Sequence, residues 1–308
     1  MTTQNYFDLA KKKYEGGKEE DCFIARSGKP YHAYHTREDW NAFLEDMESH
    51  YNRAYNEYKE GGGGELLENR YPPKMASYGS SSRMIYELSR DIPDFHFEKK
   101  LGICVPAKNE SQEAEASLDG YLADKCLYVE AKCREIYAES HPVFNVKYKE
   151  YYSFLNEHTG GLFNYSLKES IDKTGKVVYS VYFSWGGNPI SHLDLKQLLC
   201  HLLGIAKQTL LDGGKQIPTL LYLVYHPSKE LLDQVDSKRA RKSIERCLET
   251  EKAEAHLIEI KDLYKCAVLF MHERNGIGQN LPAKVIDKIS KSFVFKFCDQ
   301  KEYLSILQ

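Results

Sequence analysis

The chain has 308 residues, of which 42% are hydrophobic and 28% charged, with a formal net charge of −3. That length supports a sizeable core, as one large domain or two small ones. The mild acidity argues against a protein that wraps nucleic acid through overall positive charge. No apolar run approaches the 18 or so residues of a membrane helix, so no membrane partner is expected. The opening Met1–Tyr6 lacks the basic start and apolar stretch of a signal peptide. The eight cysteines are scattered without Cys-x-x-Cys spacing, which reads as reduced thiols in a cytoplasmic protein.

The first 35 residues are lysine-rich and weakly periodic. His32 and His35 lie three apart in a loop-like stretch with no third ligand near them, which favours a plain loop pair over a metal site. A helix follows, with Thr36 and Asp39 as its capping pair and Trp40, Phe43, Leu44, Met47, Tyr51 and Tyr55 at helical spacing. Gly61–Gly64 ends it, because four glycines hold neither helix nor strand. This divides the chain into an N-terminal helical region with a glycine linker (1–64) and an α/β domain (65–308).

Ser80-Ser-Ser-Arg83 supplies an N-cap for a second helix carrying Arg83 and Glu87, and Asp91–Asp94 stops it. Phe95–Val105 reads as a strand, and residues 115–133 read as a β-hairpin. From about 135 to 190 the pattern loosens into an insertion whose readable parts are Tyr148–Tyr152 and a strand at Val177–Phe183. A strong helix starts at Ser191 and Asp194, has an apolar face from Leu195 to Leu210, and ends at Gly213-Gly214. Gln197, His201, Gly204 and Gln208 form a separate polar or small stripe on it. Thr219–Tyr225 is a continuous apolar run, the pattern of a strand buried on both faces. A helix is predicted over roughly Lys229–Lys252, strands at Ala255–Ile260 and Cys266–Met271, and a short helix near Pro282–Ser292.

The hairpin carries the chemistry. Side chains of a strand alternate, so Leu127, Val129, Ala131 and Cys133 share one face, and Tyr128, Glu130 and Lys132 the other. In the preceding strand, Leu118, Gly120 and Leu122 are expected on one face and Ser117, Asp119 and Tyr121 on the other. A loop centred on Asp124-Lys125 pairs residues whose numbers sum to 249, which sets Asp119 across from Glu130 with Cβ atoms roughly 5 Å apart. Facing carboxylates repel unless a cation lies between them. The acid-x-Lys string also occurs at Glu57, Glu98, Asp194, Asp236, Glu259 and Asp299. The strongest rivals, Glu98 and Glu259, lack a preceding short strand with an inward acid.

This order of elements, with Asp119 followed by Glu130-Ala131-Lys132, resembles the PD-(D/E)XK nuclease superfamily, over roughly residues 76–225 and interrupted by the insertion. The proline of the family's name is absent, and Leu118 stands before Asp119. The resemblance implies a restriction-endonuclease-like core, a central mixed β-sheet flanked by helices. It implies a metal-dependent nuclease hydrolysing phosphodiester bonds in DNA, with RNA left open as a substrate. Asp119, Glu130 and the Ala131 carbonyl would hold Mg²⁺, with Mn²⁺ as a substitute, and Lys132 would assist the attacking water. The family's additional helix glutamate matches Glu87, and its glutamine matches Gln197; an ordinary surface acid and an ordinary helix-flank residue are the alternatives.

For phosphate contacts, Ser237–Lys242 is the densest basic run, but on a helix its charges spread over more than one face, so a solvated surface is the alternative. Lys147, Tyr148, Lys149, Tyr151 and Tyr152 mix charge with aromatics as stacking platforms do. Cleavage of both strands would favour a homodimer, although no coiled-coil seam is visible. The rival readings are a non-catalytic nucleic-acid or protein interaction module that keeps the fold, and an enzyme of another class using His32, His35 or the loop acids.

Overall fold

The computed structural model describes residues 35–61, 64–67, 73–77, 79–106, 113–133, 139, 141–226 and 238–307. His32, Asp236 and Ser237 therefore lie outside the described residues. The protein is a mixed α/β fold whose main sheet has five strands: β1 (Phe95–Pro106), β2 (Glu113–Leu122), β3 (Leu127–Lys132), β7 (Thr219–Val224) and β8 (Val294–Cys298). They lie side by side in the order β1-β2-β3-β7-β8. The first three are antiparallel, whereas β3–β7 and β7–β8 pair in parallel.

Both faces of this sheet are covered. On one face Tyr128, Leu220, Tyr222 and Val224 pack against α5 (Leu195–Leu211), α7 (Ile260–Glu273) and α8 (Ala283–Lys291). On the other, Val129, Ala131, Leu221 and Leu223 share a cluster with Trp40 and Met47 of α1 (Arg37–His50) and with Ala54 and Tyr58 of α2 (Asn52–Gly61). Ile85 and Tyr86 of α3 (Ser81–Ser89) and Tyr303 of α9 (Gln300–Leu307) complete it. The alternation along β7 is what a strand buried on both sides requires. The N-terminal helices thus pack directly on the sheet.

Local chemistry explains most element boundaries. Thr36 accepts the Asp39 N–H, Ser80 accepts the Arg83 N–H, and Asp194 accepts the Gln197 N–H, each satisfying a free donor at a helix start. The expected single helix beyond Thr36 breaks at Tyr51, whose φ is −129°, and restarts at Asn52. Gly204 lets α5 approach β1 closely, since a Cβ there would stand 2.6 Å from Leu101 Cβ.

Several expectations are corrected. The predicted strand at Ala255–Ile260 is the end of α6 (Lys238–Leu257) and the start of α7, and the predicted strand at Cys266–Met271 lies inside α7. Their apolar residues serve helix faces: Leu263, Tyr264, Ala267, Val268 and Met271 are all buried. The fifth strand, β8, was not foreseen. The insertion is more ordered than its sequence pattern suggests. It contains α4 (Lys149–His158) and a separate three-stranded antiparallel sheet of β4 (Phe163–Ile171), β5 (Val177–Trp185) and β6 (Asn188–Ile190). Tyr151 and Tyr152 are buried within its core at 1% and 2% exposure, so they are not free to stack on a ligand. Among the described residues no helix is long and apolar enough to cross a membrane, and no described cysteine is in a disulfide.

Candidate active site

The hairpin pairs as the numbering requires. Gly120↔Val129, Tyr121↔Tyr128 and Leu122↔Leu127 are partners, with the tight turn at residues 123–126 between them. The ladder stops there, one step before Asp119 and Glu130. Beyond that point the strands separate, and the Asp119 carboxylate takes over the vacated ladder position: its Oδ2 accepts the Ala131 N–H at 2.7 Å. Because the N–H and C=O of a strand residue point to the same side, the Ala131 carbonyl also points toward β2.

Strict alternation fails in the first strand of the hairpin. Leu122 packs in the cluster under α1–α3, whereas Leu118 packs in the cluster under α5. Residues of equal parity have therefore changed face. The same switch occurs in β1, where Phe95 and Phe97 lie on one side and Leu101 and Ile103 on the other. The cause lies at Glu98, whose φ is +53°. That left-handed conformation reverses the pleat, and β2 follows because Phe97↔Gly120 and Lys99↔Leu118 stay in register. Asp119 sits next to Gly120, at the switch. Glu98, read from sequence as a rival without a facing acid, occupies the step of the ladder opposite Asp119.

A cavity of about 470 Å³ opens at this discontinuity, lined among others by Glu65, Glu98, Asp119, Glu130, Lys132 and Gln197. Glu130 and Lys132 are 2% and 6% exposed. Lys132 Nζ donates to Glu130 Oε1 at 2.6 Å and to Gln197 Oε1 at 2.5 Å. Burial opposes the charge of the Lys132 ammonium, but Glu130 and Asp194 outweigh it and hold the pKa above the ordinary lysine value. Lys132 is therefore a cation.

The acids show the opposite stress. Burial, and then the Glu130 carboxylate, raise Asp119 well above the usual carboxylate range. Burial, followed by Asp119 and Glu65, raises Glu98 to about 7. His201, from the polar stripe of α5, is buried with Nε2 donating to the Ser117 carbonyl at 2.9 Å and 3.5 Å from Glu130 Oε2. Burial and the Lys132 charge push it down to about 3, so it is neutral and serves as a fixed wall behind Glu130.

Asp119, Glu130, Ala131, Lys132 and Gln197 are thus brought together. Glu87 is not: it is half-exposed on α3, is bonded to Arg83 Nε at 2.8 Å, and does not line the cavity. Sequence reasoning missed Glu65, Glu98, Asp194 and His201. The α5 stripe pointed to His201, Asp194 was visible as the start of its helix and as one of the common acid-x-Lys strings, and nothing in the sequence around Glu65 marks it. Among the described residues no group of three or more His, Cys, Asp or Glu side chains is set to hold a metal ion by itself. What the arrangement offers is one buried cation on a fixed strand beside carboxylates that repel one another, facing space for a small charged group. Comparison with protein families, with curated proteins and with solved structures finds no match for this chain.

Proposed function

We propose that this protein is a metal-dependent nuclease that hydrolyses phosphodiester bonds in DNA, built on a restriction-endonuclease-like core. The observation that carries the reading is the convergence of Asp119, Glu130 and Lys132 on one cavity, from adjacent strands in the hairpin register. The helix–three strands–helix–strand order from α3 to β7, interrupted between β3 and α5 by the insertion of α4 and β4–β6, with helices on both faces of the main sheet, supports it.

The donors fit a hard divalent cation. Mg²⁺ is commonly held by one or two carboxylates and keeps several waters, so the absence of a three-acid cage is compatible with it. Asp119 and Glu130 are the carboxylates, with the Ala131 carbonyl as a third oxygen. The raised pKa of Asp119 marks a charge that a cation would relieve. When bound, Mg²⁺ or Mn²⁺ supplies Lewis-acid polarisation of the phosphoryl oxygens and lowers the pKa of a coordinated water.

The chain's own residues do the rest. Lys132 stays protonated, so it orients the attacking water and offsets charge on the phosphoryl oxygens; it does not act as the base. Gln197 and Glu130 fix the direction of the Lys132 ammonium. His201 and the Ser117 carbonyl hold the wall behind Glu130 without adding charge. Hydrolysis forms a bond from water oxygen to phosphorus and breaks the ester P–O bond. The water proton leaves to solvent, and the departing oxygen is protonated.

The test is cleavage of plasmid and linear DNA by the purified chain with Mg²⁺ or Mn²⁺, with and without EDTA, beside Asp119→Asn. Metal-dependent cleavage lost in the variant is expected. Cleavage indifferent to EDTA or to the substitution, or no cleavage with either metal, refutes the reading.

A further inference from the structure

The cavity has a second acidic wall on the side of Asp119 away from Lys132. Glu65 is 5% exposed; its Oε1 accepts from Lys74 Nζ at 2.9 Å, while its Oε2 is buried without a hydrogen-bond donor. Glu98 occupies the ladder step opposite Asp119, and its carboxylate lies against the end of α2, 3.0 Å from where a Cβ on Gly61 would stand. All three carboxylates line the same cavity. A buried carboxylate oxygen that has lost water and gained no donor is costly, so the site is built for a donor that the protein does not supply.

The three acids are not gathered to grip one ion directly. A hydrated divalent cation solves both problems, because Mg²⁺ gives up its waters reluctantly and each of those waters is a strong donor. Ser77, Ser80 and Ser82 also line the cavity, and hydroxyls are further partners for such waters. We propose that Glu65, Glu98 and Asp119 form an outer-sphere seat for a fully hydrated divalent cation, held through its waters beside the direct Asp119–Glu130 position. The seat shares Asp119 with the proposed nuclease centre, but filling it does not require hydrolysis.

Cobalt(III) hexammine tests this, since it imitates hexahydrated Mg²⁺ and its ammines are not displaced by carboxylates. Calorimetric titration of the full chain in metal-free buffer is expected to show binding. Glu65→Gln and Glu98→Gln should each weaken it by about 10- to 100-fold, the usual loss when an outer partner of a metal is removed. Glu87→Gln, on the surface of α3, should bind as wild type does. Thermal melts confirm that each variant folds and give a second readout: the complex should raise the wild-type melting temperature and lose that effect in both variants. No binding by wild type, or wild-type affinity in Glu65→Gln and Glu98→Gln, overturns the proposal. Hexammine binding through Glu65 and Glu98 in a chain that cleaves no DNA supports the seat and sinks only the nuclease reading.

Discussion

Glu98→Gln is expected to stabilise the metal-free protein at alkaline pH. Folding moves the Glu98 carboxyl from an ordinary 4.5 to about 7, through burial first and the charges of Asp119 and Glu65 next. A pKa raised by folding means that the folded state binds the proton more tightly than the unfolded chain. Below about pH 4.5 both states are protonated and the substitution should matter little. As pH rises toward 7 the unfolded chain ionises first, and wild-type stability falls; above 7 the loss is complete. At about 1.4 kcal/mol per tenfold change in acidity, the full loss is on the order of 3 kcal/mol, an upper figure because Glu98 retains some contact with water. Glutamine has nearly the same shape and tolerates the same backbone, so it removes the charge and little else. The assay is urea unfolding in EDTA at pH 4.5, 6 and 8. The variant should match wild type at the lowest pH and exceed it by about 2–3 kcal/mol at the highest. Equal stability at pH 8, or a difference that does not change with pH, would refute the electrostatic reasoning.

Two further substitutions probe the frame and the limits of the site. Gly120→Ala places a methyl 2.2 Å from Phe95 Cζ, at the last paired residue before the strands separate. It should destabilise the fold by about 1–3 kcal/mol through overpacking, measured by chemical denaturation; a neutral result would show that the β1–β2 packing is looser than described. Glu87→Ala breaks only an exposed i,i+4 pair with Arg83, worth about 0.5 kcal/mol or less. DNA cleavage by it should stay within about twofold of wild type, and a large loss would return Glu87 to the site.

Much of the fold was legible because it rests on local signals. Thr36, Ser80 and Asp194 announce helices through their side-chain oxygens, and the hairpin register followed from the position of its turn. The misread segments are those where local pattern is ambiguous. A short apolar run such as Cys266–Met271 suits a buried strand or a buried helix equally, and only its packing against α5 and α4 decides. The register survived and the alternation did not, because the pleat reversal depends on a left-handed backbone at Glu98 that no glycine or asparagine marks. For the same reason the sequence shows no facing acid for Glu98: that acid is Asp119 itself, reached from the other side. Glu65 follows the glycine run without any period, and only the folded chain brings it to the cavity. The core triad of Asp119, Glu130 and Lys132 was legible; the second acidic wall was not.

The most direct measurement is the single-turnover cleavage rate of a labelled DNA duplex at saturating Mn²⁺, compared between wild type and Lys132→Ala. Lys132 is the cation directed at the cavity from β3 and is already held by Glu130 and Gln197. The account predicts metal-dependent strand cleavage by wild type and a loss of about 10²- to 10⁴-fold in the variant, with the variant still folded. Equal rates in the two proteins, or no cleavage by folded wild type, would contradict it.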